Sequence, residues 1–484
     1  MAFNDLREYI GALQNYGLAV DVKEEVHWNL EVGAITRRVN ELGAPSPLFS
    51  KITGYPDGYR IFGAPINTWP KAAVALGLDP EVGAEGVCNY LREKMGERIK
   101  PVLVDKKNAP CKENIIMGDD VDLRKFPAPV SHDGDGGRYF CTWHCNISKE
   151  PETGWVNWGM YRSMIASKNT MTGIIRPTIH MGYHYFRYYM RKKIDMPFAI
   201  AIGPEPVSTM MACSKPPAGV NEVEIVGALR GEPVKLVKCE TCDLEVPATS
   251  EIVLEGVISV TETDFEGPFG EWTGYSANVR DKRPVYKINC ITHRNDPILT
   301  YSCTGTPTDE SGLIIGAWRS AELTDVLEKE GIPVTGVYYP PECAVFLAVV
   351  GVKSSVMKSA NIAQRISSRI FGSEIGNNLP YIIVVDEDVD IYNLNEVMHA
   401  FVTKCHPYRG ITRLEHATGF SFMPFLNGQE RMQGKGAKAY FDCTWPLDWD
   451  PINEIPPKTS FKARYPKEVQ EHVLNNWKRY GFGD

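Results

Sequence analysis

The chain has 484 residues, 43% hydrophobic and 23% charged, with a net charge of −8 at neutral pH. It is long enough for about two or three domains, and it has no Lys/Arg-rich run to serve nucleic acid or an anionic membrane. Asp5, Arg7 and Glu8 stand where a secretory leader needs an apolar block, and the longest apolar run, 343–352, is about half a bilayer span, so a cytoplasmic protein is expected.

The first element reads as a helix. Asp5 is placed to cap it, Leu6, Tyr9, Ile10 and Leu13 share one face, and Gly17 is placed to close it. Helical spacing returns at 31–42 and 85–95 around an extended piece at 59–62, which together predict an N-terminal α/β domain over 1–112. From there to residue 308 the character changes. Extended segments at 140–148, 163–166, 198–201, 235–237, 251–260, 285–292 and 298–303 are rich in Val, Ile, Thr and aromatics, with turn residues between them. That spacing predicts a β-barrel. The stretch 309–484 is again α/β, with a helix at 312–329 carrying Ala321, Val326 and Leu327. A buried strand follows at 381–385, and then a helix at 395–405 with Val397, Phe401 and Val402 inward. A tail helix at 466–480 has the stripe Val469, Val473, Trp477 and Tyr480, with Gly481 as its stop. Amphipathicity alone leaves open whether that stripe packs on its own core or on another subunit.

Four segments carry candidate chemistry. Asp264-Phe-Glu-Gly-Pro-Phe-Gly-Glu-Trp-Thr-Gly274 presents Glu266 and Glu271 around a tight Gly-Pro-Phe-Gly turn. This is either a solvated surface turn or an acid and base pair, if burial raises one pKa. Gly154-Trp-Val-Asn-Trp-Gly-Met-Tyr-Arg162 places Arg162 beside aromatics, where a guanidinium grips a carboxylate at two points or forms a structural ion pair. His180, within Arg176-Pro-Thr-Ile-His180, and Glu222, which reads as lying before a strand, supply an imidazole and a carboxylate. With the amide oxygen of Asn157 they compose a mixed N/O site for a divalent ion such as Mn2+, although spacing alone cannot assemble them.

Other motifs fail. Asp133-Gly-Asp-Gly-Gly137 begins like a calcium loop, but its twelfth position is His144. Asp386-Glu-Asp-Val-Asp390 reads as a solvated strand end. Of the twelve cysteines, only Cys239 and Cys242 form a close CxxC, with no second pair for zinc, so all are read as reduced thiols. There is no GxGxxG, no GxxxxGK[ST] and no GxSxG.

At this point the chain resembles the UbiD-like decarboxylases, and among them the ferulic/cinnamic acid decarboxylase branch. The resemblance is carried in family order by Asn29-Leu-Glu-Val-Gly-Ala-Ile-Thr-Arg-Arg38, Asn157-Trp158 with Arg162, His180, and Glu222 with Gly227-Ala-Leu229. It continues through Pro247-Ala-Thr-Ser-Glu-Ile-Val-Leu-Glu-Gly256 and Glu266-Gly-Pro-Phe-Gly-Glu271 to the tail around Tyr465-Pro466, Trp477 and Gly481-Phe482. It implies a mixed α+β fold: an N-terminal α/β domain (1–112), a split barrel binding prenylated FMN (113–308) and a C-terminal α/β domain (309–484) that oligomerises as dimer or hexamer. It also implies reversible non-oxidative decarboxylation of an aromatic, heteroaromatic or α,β-unsaturated acid, with a flavin prenyltransferase supplying the cofactor. Glu266, Arg162 and Glu271 take the places of the catalytic network, Glu271 as proton donor and Glu266 holding Arg162. Asn157, His180 and Glu222 take those of the Mn2+ ligands that tie down the cofactor phosphate, and Trp158 that of a K+ contributor. Because arginine and burial oppose each other at the glutamates, the sign of their pKa shifts is not legible in the sequence.

The pocket segment departs from that branch. Near Ile174, Arg176 stands where an aliphatic residue is expected, and Ile179 where Gln is expected. Arg176 either recognises a second anionic group of the substrate or points to solvent or a glutamate. Two other classes compete with the decarboxylase: an FMN-dependent oxidoreductase, for which the Glu-Arg-Glu set is superfluous, and a non-catalytic subunit of a multi-component carboxylase.

Overall fold

The opening helix, Leu6–Asn15, forms where capping and periodicity put it. The Asp5 carboxylate accepts the amide of Glu8, and Leu6, Tyr9, Ile10 and Leu13 are all buried. Each such side chain removed from water contributes about 1.5–3 kcal/mol. Gly17 follows with φ +69°, a left-handed stop. Helix Glu31–Leu42 matches its expected span, and Gly83–Lys94 lies close to its own. In this computed structural model, residues 2–276, 280–355 and 361–483 are described.

Four strands make the N-terminal sheet, in the order Ala19–Val26, Ser46–Ile52, Arg60–Gly63 and Ile298–Tyr301. The last is a correction. Its residues read as a barrel strand, yet they pair in parallel with Arg60–Gly63 and are buried throughout. Similarly, Lys235–Lys238 leaves the barrel to join Val102–Leu103 and Glu245–Pro247. Local pattern identifies a strand, but the sheet that accepts it depends on distant partners.

The central sheet runs through Tyr139–Cys141, Ser163–Ile165, Thr170–Gly173, Asp281–His293, Ile252–Glu266, Met196–Ile202, His144–Lys149 and Val156–Gly159, with Asn114–Met117 beside Asp281–His293. Its end strands are not paired with each other, so the sheet is curled but open: a split barrel. Register shifts at Glu255/Gly256 and Ile258/Thr263 bend the long central pair. The expected single strand over 140–148 is two strands, one first and the other last but one along this path, with Trp143, 2% exposed, in the break between them. Another correction concerns Glu222. It opens a helix, Glu222–Arg230, ended by Gly231 at φ +73°, rather than preceding a strand.

In the C-terminal region, Asp309 caps helix Glu310–Lys329. A five-stranded sheet follows, ordered Val334–Tyr338, Leu347–Val352, Tyr381–Asp386, Lys435–Cys443 and Ile411–Thr418. On helix Leu394–Lys404, Val397 is buried and Phe401 partly so, but Val402 is 70% exposed. It lies one residue past the inward i, i+4 pair, so the expected inward position is corrected. The tail helix Lys467–Asn475 buries nothing, and Trp477 and Tyr480 remain 41% and 50% exposed, so the stripe has no core of this chain over it.

Candidate active site

Three distant stretches meet at one arginine. Glu266 ends the long strand Ile252–Glu266, Glu271 follows the Gly-Pro-Phe-Gly turn, and Arg162 immediately precedes strand Ser163–Ile165. Arg162 Nε donates to Glu266 Oε1 at 2.9 Å and Nη2 to Oε2 at 3.2 Å, while Nη1 donates to Glu271 Oε1. Both glutamates are buried and Arg162 is nearly so, so the surface-turn alternative for the glutamates falls away. Tyr139 donates its hydroxyl to Glu266 Oε1 at 2.8 Å, and the Phe269 ring lies 4.7 Å from the guanidinium carbon. Desolvation raises the pKa of Glu271 and outweighs the opposing pull of Arg162 and Arg176. At Arg162 burial works to lower the pKa, but the two carboxylates more than compensate, so the guanidinium is held charged.

The failed calcium loop holds this turn in place. Asp135 accepts the Gly270 amide at 3.0 Å with one oxygen and the His132 amide at 3.0 Å with the other. Gly136 donates to the Pro268 carbonyl at 2.8 Å, and a Cβ at Gly136 would fall 2.0 Å from the Gly267 oxygen. No side chain fits there. The Asp-Gly-Asp-Gly-Gly run is thus built for close backbone approach rather than for an ion.

A second cluster adjoins the first through Tyr161. Asn157 lies on strand Val156–Gly159, and both His180 and Glu222 are the first residues of their helices. Glu222 Oε2 accepts the Trp158 amide at 2.9 Å, while its Oε1 lies 3.7 Å from His180 Nδ1. Asn157 donates to the Tyr161 hydroxyl at 3.4 Å, and Asn221 accepts the Val156 amide at 3.1 Å, tying helix start to strand. Two buried atoms here, His180 Nε2 and Glu222 Oε1, have no hydrogen-bond partner. An unmet buried polar atom costs about 1–3 kcal/mol, and a cation meets the need of both. An imidazole, a carboxylate and an amide oxygen form the donor set that suits Mn2+ or a similar divalent ion, so these residues fit a metal.

Cys239, Cys242 and Glu255 also lie within ligand distance of one another. Glu255, however, is already occupied by Lys112 Nζ at 3.0 Å and by the amides of Glu240 and Thr241 at 2.7 and 2.8 Å. It serves the scaffold. All twelve cysteines are free thiols.

Arg162 and Glu271 open onto a cavity of about 270 Å³ shared with Ile174, Arg176, Ile179, Phe269, Phe420 and Phe422. Arg176 lines this cavity, partly exposed, with the charge of Glu271 acting on it but no carboxylate within ion-pair distance among the described residues. A larger cavity, about 630 Å³, opens beside the C-terminal sheet, but it contains none of the candidate residues and its buried Lys404 is paired with Asp386 at 2.7 Å.

Comparison with known proteins fits this layout. Family models described as the N-terminal, Rift-related and C-terminal domains of 3-octaprenyl-4-hydroxybenzoate carboxy-lyase match residues 10–88, 102–307 and 312–443. The chain belongs to the UbiD family. It is 35% identical to a pyrrole-2-carboxylic acid decarboxylase of Pseudomonas aeruginosa, over 99% of each chain. It is 32% identical to ferulic acid decarboxylase 1 of Saccharomyces cerevisiae, over 99% of this chain and 98% of that one. The solved UbiD-class enzyme HmfF from Pelotomaculum thermopropionicum, in complex with FMN, superposes with a TM-score of 0.84 at 28% identity, covering 94% of this chain and 97% of that one. An evolved dimeric form of HmfF has been solved with prFMN.

In this UbiD-family carboxy-lyase, motif reading missed Tyr139, Asp135, Gly136, Phe420 and Phe422. Tyr139 and the Phe420/Phe422 pair had no pattern to mark them, since a tyrosine in a strand and phenylalanines in a loop are ordinary. The Asp-Gly-Asp-Gly-Gly run did carry a signal, because consecutive glycines around one acid announce close backbone packing. Among the described residues no helix is long and apolar enough to cross a membrane.

Proposed function

We propose that this enzyme reversibly decarboxylates an aromatic, heteroaromatic or α,β-unsaturated carboxylic acid, using prenylated FMN with Mn2+ and K+. The observation that carries the reading is Arg162 spanned between two buried carboxylates at the wall of an apolar cavity. The named activities of the two relatives and the flavin complexes of HmfF support the substrate and cofactor classes.

Loss of CO2 from an sp2 carbon needs an electron sink, which a prenylated flavin supplies when bound. The rest is the work of this chain. Arg162 orients the substrate carboxylate, and Glu266, fixed by Tyr139, keeps the guanidinium in position. Glu271, whose pKa burial raises, is the group placed to deliver a proton to the carbon that loses CO2. Asn157, through its amide oxygen, and His180 and Glu222, through the two atoms left unpartnered, would hold Mn2+, and the Trp158 carbonyl would contribute to K+. Supply by a flavin prenyltransferase follows from the cofactor. The uncovered tail stripe supports a homo-oligomer, dimer or hexamer, of chains with domain limits near 112 and 308.

The test is co-production with a flavin prenyltransferase, followed by a CO2-release screen over aryl, furan, pyrrole and cinnamic acids. Turnover of at least one acid class, absent without the prenyltransferase, is expected. NAD(P)H oxidation without CO2 release would move the assignment to an oxidoreductase, and a loaded protein silent in both assays would be a non-catalytic subunit.

A further inference from the structure

The cavity holds a second guanidinium that the decarboxylation chemistry leaves unused. Arg176 donates through Nη1 to Ser421 Oγ at 2.8 Å, and its Cζ lies 4.0 Å from the centre of the Phe422 ring. Those two contacts come from the loop after strand Ile411–Thr418 of the C-terminal region, facing the split barrel. Ser421 Oγ accepts a hydrogen bond from Arg176, so its own hydroxyl hydrogen remains free to donate. No carboxylate of the described residues pairs with Arg176, whereas Arg162 in the same cavity holds two.

The contrast is chemical. Arg162 is ion-paired with Glu266 and Glu271, but Arg176, which feels Glu271 only at longer range, brings a guanidinium with no direct ion pair into a space walled by Ile174, Ile179, Phe269 and Phe422. A guanidinium stays protonated even when burial disfavours its charge, as it does here. A buried cation without a counterion is costly, and the planar fork of arginine matches a carboxylate in two places. An aromatic-lined slot with one clamped and one unclamped guanidinium matches a flat molecule with an anionic group at each of two positions.

We propose that Arg176, aided by the Ser421 hydroxyl, receives a second carboxylate, so that the preferred substrate is an aromatic or heteroaromatic ring bearing two carboxylates. One is presented to Arg162 and lost as CO2; the other is held by Arg176 and kept. The inference rests on the decarboxylase reading and names its substrate class.

The experiment compares kcat/KM for matched acids, furan-2-carboxylate with furan-2,5-dicarboxylate and the pyrrole pair likewise, in flavin-loaded wild type, Arg176→Leu and Ser421→Ala. Wild type should favour the diacid. In Arg176→Leu the diacid-to-monoacid ratio should fall by about 10- to 100-fold, mainly through KM, the range expected for one charged hydrogen-bonded contact. Ser421→Ala should lower the ratio less than Arg176→Leu does. An unchanged ratio in Arg176→Leu, even with both activities reduced, would make Arg176 a strut between barrel and C-terminal loop and end the proposal. A wild-type preference for monoacids would end it too. If no acid of any class releases CO2, the decarboxylase reading has failed on its own, and calorimetric titration of the diacid decides this one. Binding to wild type that is lost in Arg176→Leu keeps the second-anion site, and equal binding to both removes it.

Discussion

The long strand Ile252–Glu266 has buried, hydrogen-bonded carboxylates at both ends, but one ties scaffold elements together and the other stands at the cavity. Just before its start, Glu251 accepts Arg7 Nε and Nη2 at 2.8 Å each, Arg294 at 3.3 Å and the Ile298 amide at 3.1 Å. This joins the opening helix, the barrel and the N-terminal sheet. At the far end, Glu266 shares Arg162 with Glu271, which faces a cavity. Glu222 nearby keeps one oxygen without a hydrogen bond, 3.7 Å from His180 Nδ1. Burying a carboxylate is costly, and a scaffold offsets the cost by saturating it. On the proposed reading, the oxygen that Glu222 leaves without a hydrogen bond is where a metal would bind. Glu266, bonded through both oxygens, stands between the two cases, so it is Glu251 and Glu222 that differ most in how far a buried acid is satisfied.

That contrast can be broken at either end. The largest effect is expected from Glu271→Gln, which keeps shape and flavin absorbance but should lower kcat by about 10²–10⁴; a variant with wild-type turnover would remove Glu271 from its role. In the same residue lies the pH dependence. Its pKa is raised by burial above the ordinary 4.5, so as the proposed donor it would hold its proton to higher pH than an unperturbed glutamate does. Activity should therefore fall as pH rises through that raised value, and a pH profile of kcat should show this limb in wild type.

At the saturated end, Glu251→Ala should cost about 3 kcal/mol of stability in denaturant unfolding, because Arg7 and Arg294 lose their shared partner. A change under about 0.5 kcal/mol, the scale of an ordinary surface substitution, would erase the distinction. Glu222→Ala should behave conversely. Metal and flavin content, measured by elemental analysis and absorbance, should drop together, while the metal-free protein unfolds within about 1 kcal/mol of wild type because an unmet acceptor leaves with the side chain. The smallest effect belongs to Tyr139→Phe. Removing one hydrogen bond to Glu266 should lower kcat/KM about fivefold, equivalent to about 1 kcal/mol.

Much of the fold was legible because capping and periodicity act over a few residues. Asp5, the Leu6-to-Leu13 face and helix Glu31–Leu42 needed nothing beyond their own neighbourhoods. The order of α/β, barrel and α/β regions followed from the same local patterns. The chemically important side chains were also visible, as a family resemblance in separated motifs rather than as a site.

Partner choice needed the tertiary structure. Ile298–Tyr301 reads as a strand anywhere, but only its parallel neighbour Arg60–Gly63 decides its sheet. Residues 140–148 read as one strand, yet the chain breaks at the buried Trp143 and the two halves lie far apart in the sheet, one at its edge and the other beside the opposite edge strand. The upward shift of Glu271 and the unpaired state of Arg176 depend on what surrounds each group across hundreds of residues of chain. Local geometry is short-ranged and therefore written in adjacent residues, whereas desolvation and charge pairing are set by whatever the fold brings alongside.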